Sequence, residues 1–301
     1  MDIAQNIARD IKDFLTTRRA RITPELVGLP PGRRRRVPGL RREEVAHMAG
    51  VSIEYYTQIE RGNVTGVSGE VLHAVARALQ LSEVEETHLF DLVRAAAPKA
   101  GRARSPGRSG RALPDGVQAL LDSMVAAPAV VLNGHLDIVA ANALGRALYA
   151  PLFARANATP NLARFIFFDT AADHVFPDWV SAADDAVSLL RAEAARFPDS
   201  PAVTRLVGEI ATRSKQFRTR WATHNVKAHR HGVKRFQHSE VGELSLTCNV
   251  FDITGVGGLS LIGYTAQPHS RSGEALRRLA SLTLPDTSNW PDTSKPPSPN
   301  Q

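Results

Sequence analysis

The sequence predicts a protein of two domains, an all-helical N-terminal domain followed by an α+β domain that contains an antiparallel sheet. The 301 residues are enough to bury two hydrophobic cores. Apolar residues in the N-terminal third recur at spacings of three and four, which is the period of an α-helix. Further along the chain, runs that alternate with period two indicate strands among the helical segments.

The predicted boundaries follow these changes of pattern. The helical domain covers residues 1–96, and the α+β domain covers residues 115–284. Residues 97–114 between them are rich in Gly, Pro, Ser and Arg without apolar periodicity, which predicts a flexible basic linker. The proline-rich residues 285–301 are expected to be a disordered tail.

The N-terminal domain is predicted to contain five helices. The first covers residues 3–21, and a brief helical turn follows it. The second and third helices lie within residues 41–62, and a fourth helix covers about 68–80. The last helix begins at Ser82, whose side chain can form a capping box with that of Glu85.

Residues 41–62 predict a helix, a tight turn and a second helix. Gly50 stands where the first helix must end, because glycine accepts the left-handed conformation of a sharp turn. Ser52 can cap the second helix, and Glu54 lies near the positive end of its dipole. This is the layout of a DNA-reading helix-turn-helix, although a two-helix corner without that role has the same pattern.

The basic charge of the chain is concentrated before residue 112. Residues 1–111 contain 19 Lys and Arg against 13 Asp and Glu, whereas residues 112–301 contain 18 against 17. This asymmetry indicates a DNA-binding domain joined to a nearly neutral one. The adjacent Arg33, Arg34, Arg35 and Arg36 are expected to contact the DNA backbone or minor groove, the alternative being a solvated charge run.

Three segments of the N-terminal domain carry a family resemblance. They are R-R-V-P-G-L-R-R-E-E-V-A at 35–46, G-V-S-x-x-Y-Y-T-x-I-E-R-G at 50–62 and L-x-A-V-A-R-A-L-Q-L at 72–81. They resemble the XRE (lambda-repressor-like) helix-turn-helix family and, more closely, the actinobacterial regulators whose ligand-binding half is called MmyB-like. The resemblance implies a transcriptional regulator that binds specific sequences in double-stranded DNA.

The C-terminal half also resembles the MmyB-like family, which implies a PAS-like ligand-binding domain. The family usually has His-Pro where this chain has His238-Ser239, so the turn at that point is expected to differ. The matching segments are P-A-V-V-L-N-G-H-L-D-I-V-A-A-N at 128–142, N-L-A-R-F-I-F at 161–167, D-W at 178–179, F-R-T-R-W-A-T-H-N-V at 217–226 and V-G-E-L-S-L at 241–246.

The C-terminal elements are predicted from periodicity and turn residues. A helix covers 115–126, and Asn133-Gly134 is suited to a type I′ turn between two short strands. Three later strands lie within 232–267, and a final helix covers about 271–282. Further helices are predicted at about 141–150, 160–168, 171–197, 201–212 and 214–223.

Four side chains on the second helix of the helix-turn-helix are predicted to face the bases. Gln58 can pair with adenine, Glu54 can accept from cytosine, and Ile53 and Thr57 can contact thymine methyl groups. Side chains at the helix ends and flanks are expected to bind phosphates. These are Arg41, Arg42, Ser52, Tyr55 and Arg61.

Glu60 has a separate expected role. The XRE resemblance implies that it pairs with an arginine of the first helix, either Arg18 or Arg19, and an exposed carboxylate is the alternative.

A set of large aromatic side chains is the predicted ligand contact surface of the second domain. A plain hydrophobic core is the usual explanation for such residues and is the alternative. The MmyB-like resemblance favours a cavity for a small apolar or fatty-acid-like effector. The set is Phe165, Phe168, Trp179, Trp221, Phe236 and Phe251.

No pattern in the sequence predicts an enzyme, a metal site or a cofactor. His224, His229, His231 and His238 lack HExxH spacing, and the glycine-rich residues 254–260 lack GxGxxG. No G-x-S-x-G elbow marks a nucleophile. The single cysteine, Cys248, forbids an internal disulfide and is expected to be a buried small hydrophobe.

These observations predict a cytoplasmic regulator without a membrane partner, since the sequence shows neither a long apolar run nor a signal peptide. A homodimer is expected, because operators for such domains are commonly two-fold. The alternative is a constitutive DNA-binding repressor whose C-terminal domain serves only dimerisation. A protein-interaction module or a catalytic domain is the third possibility.

Overall fold

The computed structural model describes residues 3–29, 37, 39–97, 113–154, 159–225, 231–253 and 258–283. The arginine run at 33–36, nearly all of the predicted linker and the predicted tail at 285–301 lie outside the described residues.

The N-terminal helices lie where the apolar spacing predicts them. Their buried side chains, among them Phe14, Val45, Tyr56 and Ile59, form one hydrophobic core. The elements are α1 (Ile3–Arg21), a 3-10 turn (Pro24–Val27), α2 (Arg42–Ala49), α3 (Ile53–Glu60), α4 (Gly69–Ala78) and α5 (Glu83–Ala96).

The predicted helix caps are confirmed. The Ser52 hydroxyl accepts the backbone N–H of Tyr55 at 3.1 Å and so begins α3. The Ser82 hydroxyl accepts the N–H of Glu85, whose carboxylate accepts the N–H of Ser82 at 3.0 Å. Gly50 ends α2 in the left-handed conformation, with φ of 67°.

The C-terminal half contains an antiparallel sheet of five strands, which confirms the predicted α+β arrangement. The strand order is β2-β1-β5-β4-β3, so the first two strands pair with the last three. The strands are β1 (Ala129–Asn133), β2 (Ile138–Ala141), β3 (His231–His238), β4 (Gly242–Asp252) and β5 (Leu259–Thr265).

Nine helices of the described residues surround the sheet. On one face the main core contains Phe236, Leu244 and Leu246, and on the other Leu121 packs against Val131. The helices are α6 (Asp115–Ser123), α7 (Ala143–Leu148), α8 (Ala150–Phe153), α9 (Leu162–Phe168), α10 (Ala171–Val175), α11 (Trp179–Arg196), α12 (Pro201–Arg213), α13 (Lys215–Ala222) and α14 (Arg271–Thr283).

The prediction of a single helix at 171–197 is wrong. The segment is divided into α10 and α11, because Pro177 lacks an N–H and disfavours helical backbone at the preceding residue, Phe176. The Asp178 carboxylate then accepts the N–H of Ser181 at 3.2 Å, which caps the new helix.

The predicted type I′ turn is also wrong, since that turn needs a positive φ at both Asn133 and Gly134 and neither residue has one. The Asn133 side chain instead accepts the N–H of Asp137 at 2.9 Å and closes a longer loop. A Cβ on Gly134 would lie 1.8 Å from a carboxylate oxygen of Glu193, so a larger residue here would displace that side chain.

None of the described helices combines the length and the apolarity that crossing a membrane requires.

We predict that Gly50→Ala lowers the free energy of unfolding by about 1–2 kcal/mol, because alanine is strained in the left-handed conformation. Gly208→Ala is the matched control, since Gly208 lies within α12 with no neighbour near its added Cβ. The control should be neutral or stabilising by up to about 1 kcal/mol. Urea unfolding measures both, and equal stability of the two variants would contradict the assigned turn.

Candidate DNA interface and ligand pocket

The outer face of α3 is open to solvent. Ile53, Glu54, Tyr55 and Gln58 are exposed, with 47% of Ile53 accessible, and Thr57 is half-buried. On the opposite face Tyr56, Ile59 and Glu60 are buried. The four predicted base readers therefore share an accessible surface, and their contact with DNA stays a prediction.

The residues predicted to bind phosphate fall into two groups. Tyr55 and Arg61 are exposed on the flanks of α3. The other three make contacts within the protein: the Ser52 hydroxyl caps α3, Arg41 lies 3.1 Å from Glu43, and Arg42 pairs with Glu60.

Asn63 is a neighbour of the predicted surface that the sequence pattern does not reveal. Its side-chain amide donates to the Gln58 side-chain oxygen at 2.6 Å. Both residues are exposed. Asn63 therefore orients the amide that is predicted to pair with adenine, and its position directly after Gly62 is the only sequence signal for this role.

Glu60 is the buried centre of the helix-turn-helix. Only 1% of its side chain is exposed, and its carboxylate lies 2.9 Å from Arg19 Nε and 2.9 Å from Arg42 Nη2. Arg19 also donates to the backbone carbonyl of Leu40 at 2.7 Å. The pairing with Arg19 is thus confirmed, Arg18 is not the partner, and the exposed alternative is wrong.

The ion pairs decide the ionisation of Glu60. Burial is the largest influence and favours the neutral acid, but hydrogen bonds and charge from Arg19 and Arg42 outweigh it. The pKa of Glu60 is therefore lowered from its ordinary value of 4.5. Because Arg19 belongs to α1 and Arg42 to α2, one carboxylate fixes α3 against both helices.

A cavity of about 310 Å³ lies between α9, α11 and the edge strand β3. This volume is at the lower end of the range for small-molecule sites, about 300–1,000 Å³. Its apolar wall includes Leu162, Ile166, Phe176, Ala186 and Leu189.

The cavity also has charged residues on its wall. Lys234 lies 3.1 Å from the Asp185 carboxylate, and the Asp178 carboxylate caps α11. Arg235, on β3, is exposed and makes no ion pair within the part of the chain that the structure describes. The wall therefore combines apolar surface with charged residues.

Comparison with protein families decides the assignment. A model of the MmyB-like transcription regulator ligand binding domain matches residues 113–279, more than half of the chain. The chain belongs to the MmyB-like regulators. A helix-turn-helix family model of the XRE type matches residues 33–85. No curated protein matches the chain significantly.

The MmyB-like regulator is accordingly a DNA-binding transcription regulator with a ligand-binding domain. Both matched models describe domains of regulators. Among the described residues, no group of three or more His, Cys, Asp or Glu side chains is placed to hold a metal ion.

The six aromatic residues predicted to contact the ligand do not line this cavity. Phe165 and Phe236 lie behind its wall, with ring centroids 6.1 and 5.7 Å from that of Phe176. Phe251 is 57% exposed, because the alternation of β4 turns it away from the buried Leu246. The six rings therefore do not form one common surface, and their contact with a ligand stays a prediction.

The other three aromatic residues of the set are half-buried beneath arginines. The guanidinium of Arg213 lies 3.9 Å from the Phe168 ring centroid, that of Arg220 lies 4.9 Å from Trp179, and that of Arg191 lies 4.3 Å from Trp221. These are cation–π contacts, which explains why large rings lie at the edge of the core.

Tyr149 and Cys248 are cavity residues that the aromatic pattern misses. The Tyr149 hydroxyl lies 2.6 Å from that of Tyr264, and both groups are buried. Cys248 is 2% exposed, which confirms its predicted burial, and burial raises the pKa of its thiol. Period-two alternation in β4 places Cys248 on the inner face and is the signal that could have found it.

We predict that Glu60→Gln destabilises the regulator by about 2 kcal/mol at neutral pH, because charge-assisted hydrogen bonds to two arginines are lost. The pKa of Glu60 is lowered by folding, so its contribution is present above 4.5 and is lost as the pH falls through the folded pKa. The variant should therefore lose less stability than wild type on acidification.

Glu54→Gln is the matched control on the exposed face of α3, and it should change stability by less than about 0.5 kcal/mol. Urea unfolding across the acidic range measures all three proteins. Equal stability and equal pH dependence of wild type and Glu60→Gln would contradict the role of the ion pairs.

Proposed function

We propose that the regulator binds a two-fold operator as a homodimer and that a small apolar or fatty-acid-like ligand in the cavity changes its affinity for DNA. The observation that carries this proposal is the coexistence of an accessible α3 surface with an apolar cavity in the second domain. The PAS-like character of that domain remains an expectation from the family resemblance, supported by its antiparallel sheet with helices packed on it.

The proposed DNA contacts are of two kinds: some read bases, and the others position the protein on the duplex. Ile53, Glu54, Thr57 and Gln58 read bases in the major groove, each good contact contributing about 1–3 kcal/mol of discrimination. Tyr55, Arg61 and the exposed part of Arg42 bind phosphates, which sets the register without reading sequence. Arg42 is 48% exposed while it holds Glu60, so it has surface available for this second contact.

The homodimer is proposed from the size of the DNA-binding surface. The recognition helix α3 has eight residues, and one such module buries too little surface for tight selective binding. Two copies on half-sites one helical turn apart would double the contacts.

The proposed ligand has an apolar chain and an acidic head. The chain would contact the wall formed by Ile166, Phe176 and Leu189. The head would meet Arg235 and Lys234 on β3, because a guanidinium binds a carboxylate with two parallel hydrogen bonds. Asp185 already pairs with Lys234, which leaves Arg235 as the principal cationic partner of the head.

The second candidate is a constitutive repressor whose C-terminal domain serves only dimerisation. The exposed Phe251, on the outer face of the sheet, would suit a subunit interface. Operator affinity measured with and without ligands separates the candidates, because this one predicts no change.

We predict that Gln58→Ala lowers affinity about 10- to 100-fold for the preferred base at one operator position. Arg35→Ala should instead weaken binding evenly across sequences and flatten its salt dependence. Gln237→Ala, an exposed position on β3, is the control and should change neither. Mobility-shift titrations against single-base operator variants measure these effects, and an unchanged base preference in Gln58→Ala would refute the placement of α3.

We predict that dodecanoate raises the thermal unfolding temperature of the wild-type protein, because it binds the folded state. Arg235→Gln should weaken dodecanoate binding roughly tenfold, the value of one charge-assisted hydrogen bond. Ala186→Phe should abolish binding, because Ala186 is buried in the cavity wall.

Arg277→Gln is the control for Arg235→Gln, since Arg277 is exposed on α14 and is not part of the cavity wall. Calorimetric titration gives each affinity. Failure of a series of alkanoates from octanoate to palmitate to bind the wild-type protein would reject the proposed ligand class.

A further inference from the structure

Helix α11 belongs to both hydrophobic cores. Ala182, Asp185, Ala186 and Leu189 lie along one stripe of the helix and line the cavity. Near its C-terminal end, Ala195 is buried in the core of α1–α5. We call the described part of residues 3–96 the head and that of residues 113–283 the sensor. One rigid element thus connects the cavity wall to the head.

Arg191 lies on α11 between the cavity stripe and Ala195, and only 3% of it is exposed. Its Nη1 lies 2.8 Å from His224 Nδ1, and its Nη2 donates to the backbone carbonyl of Trp221. The guanidinium also lies over the Trp221 ring. Arg191 therefore fixes the end of α13 and the residues after it to α11.

The two residues His224 and Asn225 form a turn that is bound from both domains. On the sensor side, the Ser188 hydroxyl of α11 donates to the Asn225 carbonyl at 3.3 Å. On the head side, Arg18 Nη2 donates to the His224 carbonyl at 2.6 Å, and Arg21 donates to the Asn225 side chain. His224 has a left-handed φ of 51°, a conformation that is uncommon outside glycine.

Arg18 connects this turn with the rest of the head. Its Nε lies 2.7 Å from the Glu85 carboxylate of α5. The next residue of α1 is Arg19, which holds Glu60 at the end of the recognition helix α3. A displacement of the His224 carbonyl therefore acts on the turn of α1 that positions α3.

Arg18 and Arg191 are charged at neutral pH, whereas the imidazole of His224 is neutral. Burial lowers the pKa of both Arg18 and Arg191 to about 10, still well above neutral pH. Burial and the charge of Arg191 lower the pKa of His224 to about 3. The neutral imidazole can accept from Arg191, so the contact is a hydrogen-bonded polar cluster and not a repulsive one.

We propose that Arg191 and the His224–Asn225 turn transmit occupancy of the cavity to the head, with Arg191 and Arg18 as positioning residues. The residues of α11 that would contact the ligand lie about half a turn to three turns before Arg191. The recognition surface is exposed while α11 packs on α5 and the His224–Asn225 turn is bound to α1. The ligand therefore acts on the orientation of the head and does not uncover α3. This inference rests on the proposed ligand-binding function.

The first test needs no ligand. Amide hydrogen exchange is compared among wild type, Arg191→Met and Arg196→Met, an exposed arginine of the same helix. Arg191→Met should exchange at least about tenfold faster at the C-terminal turn of α1, because local opening there becomes easier. Arg196→Met should match wild type. Unchanged protection of α1 and α5 in folded Arg191→Met would overturn the proposal.

Arg18→Lys is the second variant, and it tests the proposal if Arg191→Met does not fold. It keeps the charge but loses the planar fork that reaches Glu85 and the His224 carbonyl together. It should show the same faster exchange in α1 and in the C-terminal part of α11. Wild-type exchange in folded Arg18→Lys would equally overturn the proposal.

The second test measures coupling with dodecanoate as the probe and an operator selected from random DNA. In wild type, dodecanoate should change operator affinity by a factor in the usual allosteric range of about 5–150. In Arg191→Met and Arg18→Lys this factor should fall to less than about two, while dodecanoate affinity without DNA stays within about twofold of wild type. Retention of the full factor would overturn the proposal.

The two tests also separate this inference from the proposed function. If dodecanoate leaves wild-type operator affinity unchanged, the proposed effector class fails for this probe. The exchange experiment then decides alone whether the Arg191 contact holds the head in its orientation.

Discussion

The arrangement of the head depends on one buried carboxylate. Glu60 lies at the end of the recognition helix and binds arginines of both other helices that pack around it, Arg19 of α1 and Arg42 of α2. A carboxylate buried without these partners would cost several kcal/mol, so the three helices must hold the positions that complete the pairs. The exposed face of α3 is a consequence: with Tyr56, Ile59 and Glu60 turned inward, the other side chains of this helix face solvent.

The same helix α1 that holds Glu60 also contacts the sensor. Arg19 faces the recognition helix while its neighbour Arg18 faces the turn at His224. Adjacent residues of a helix point in directions about 100° apart, so α1 can serve both contacts at once. The cavity lies against α11. A ligand bound in it would therefore contact this helix without touching DNA. In the proposed mechanism the orientation of the head changes while the exposed face of α3 stays accessible.

Sequence patterns predicted the helices and strands well because their signals are local: apolar period, capping serines and the glycine at position 50. Pro177, which divides the predicted helix at 171–197, is a sequence signal for a helix end. The apolar pattern continues across it and favours one helix. The cavity could not be located from sequence, because large aromatic residues have the same pattern in a core, on a cavity wall or beneath an arginine. The choice between Arg18 and Arg19 and the contact at His224 depend on helix rotation and on backbone carbonyls, which have no sequence signature.

Photo-crosslinking from α3 tests most directly whether this helix reads bases. A benzophenone side chain replaces Ile53, and the matched control replaces Val180, an aliphatic residue of α11 that is at least as exposed. With operator DNA bound, the residue-53 protein should crosslink to bases inside the operator, and the residue-180 protein should not. Operator binding without a crosslink from residue 53, together with crosslinks from residue 180, would contradict the account.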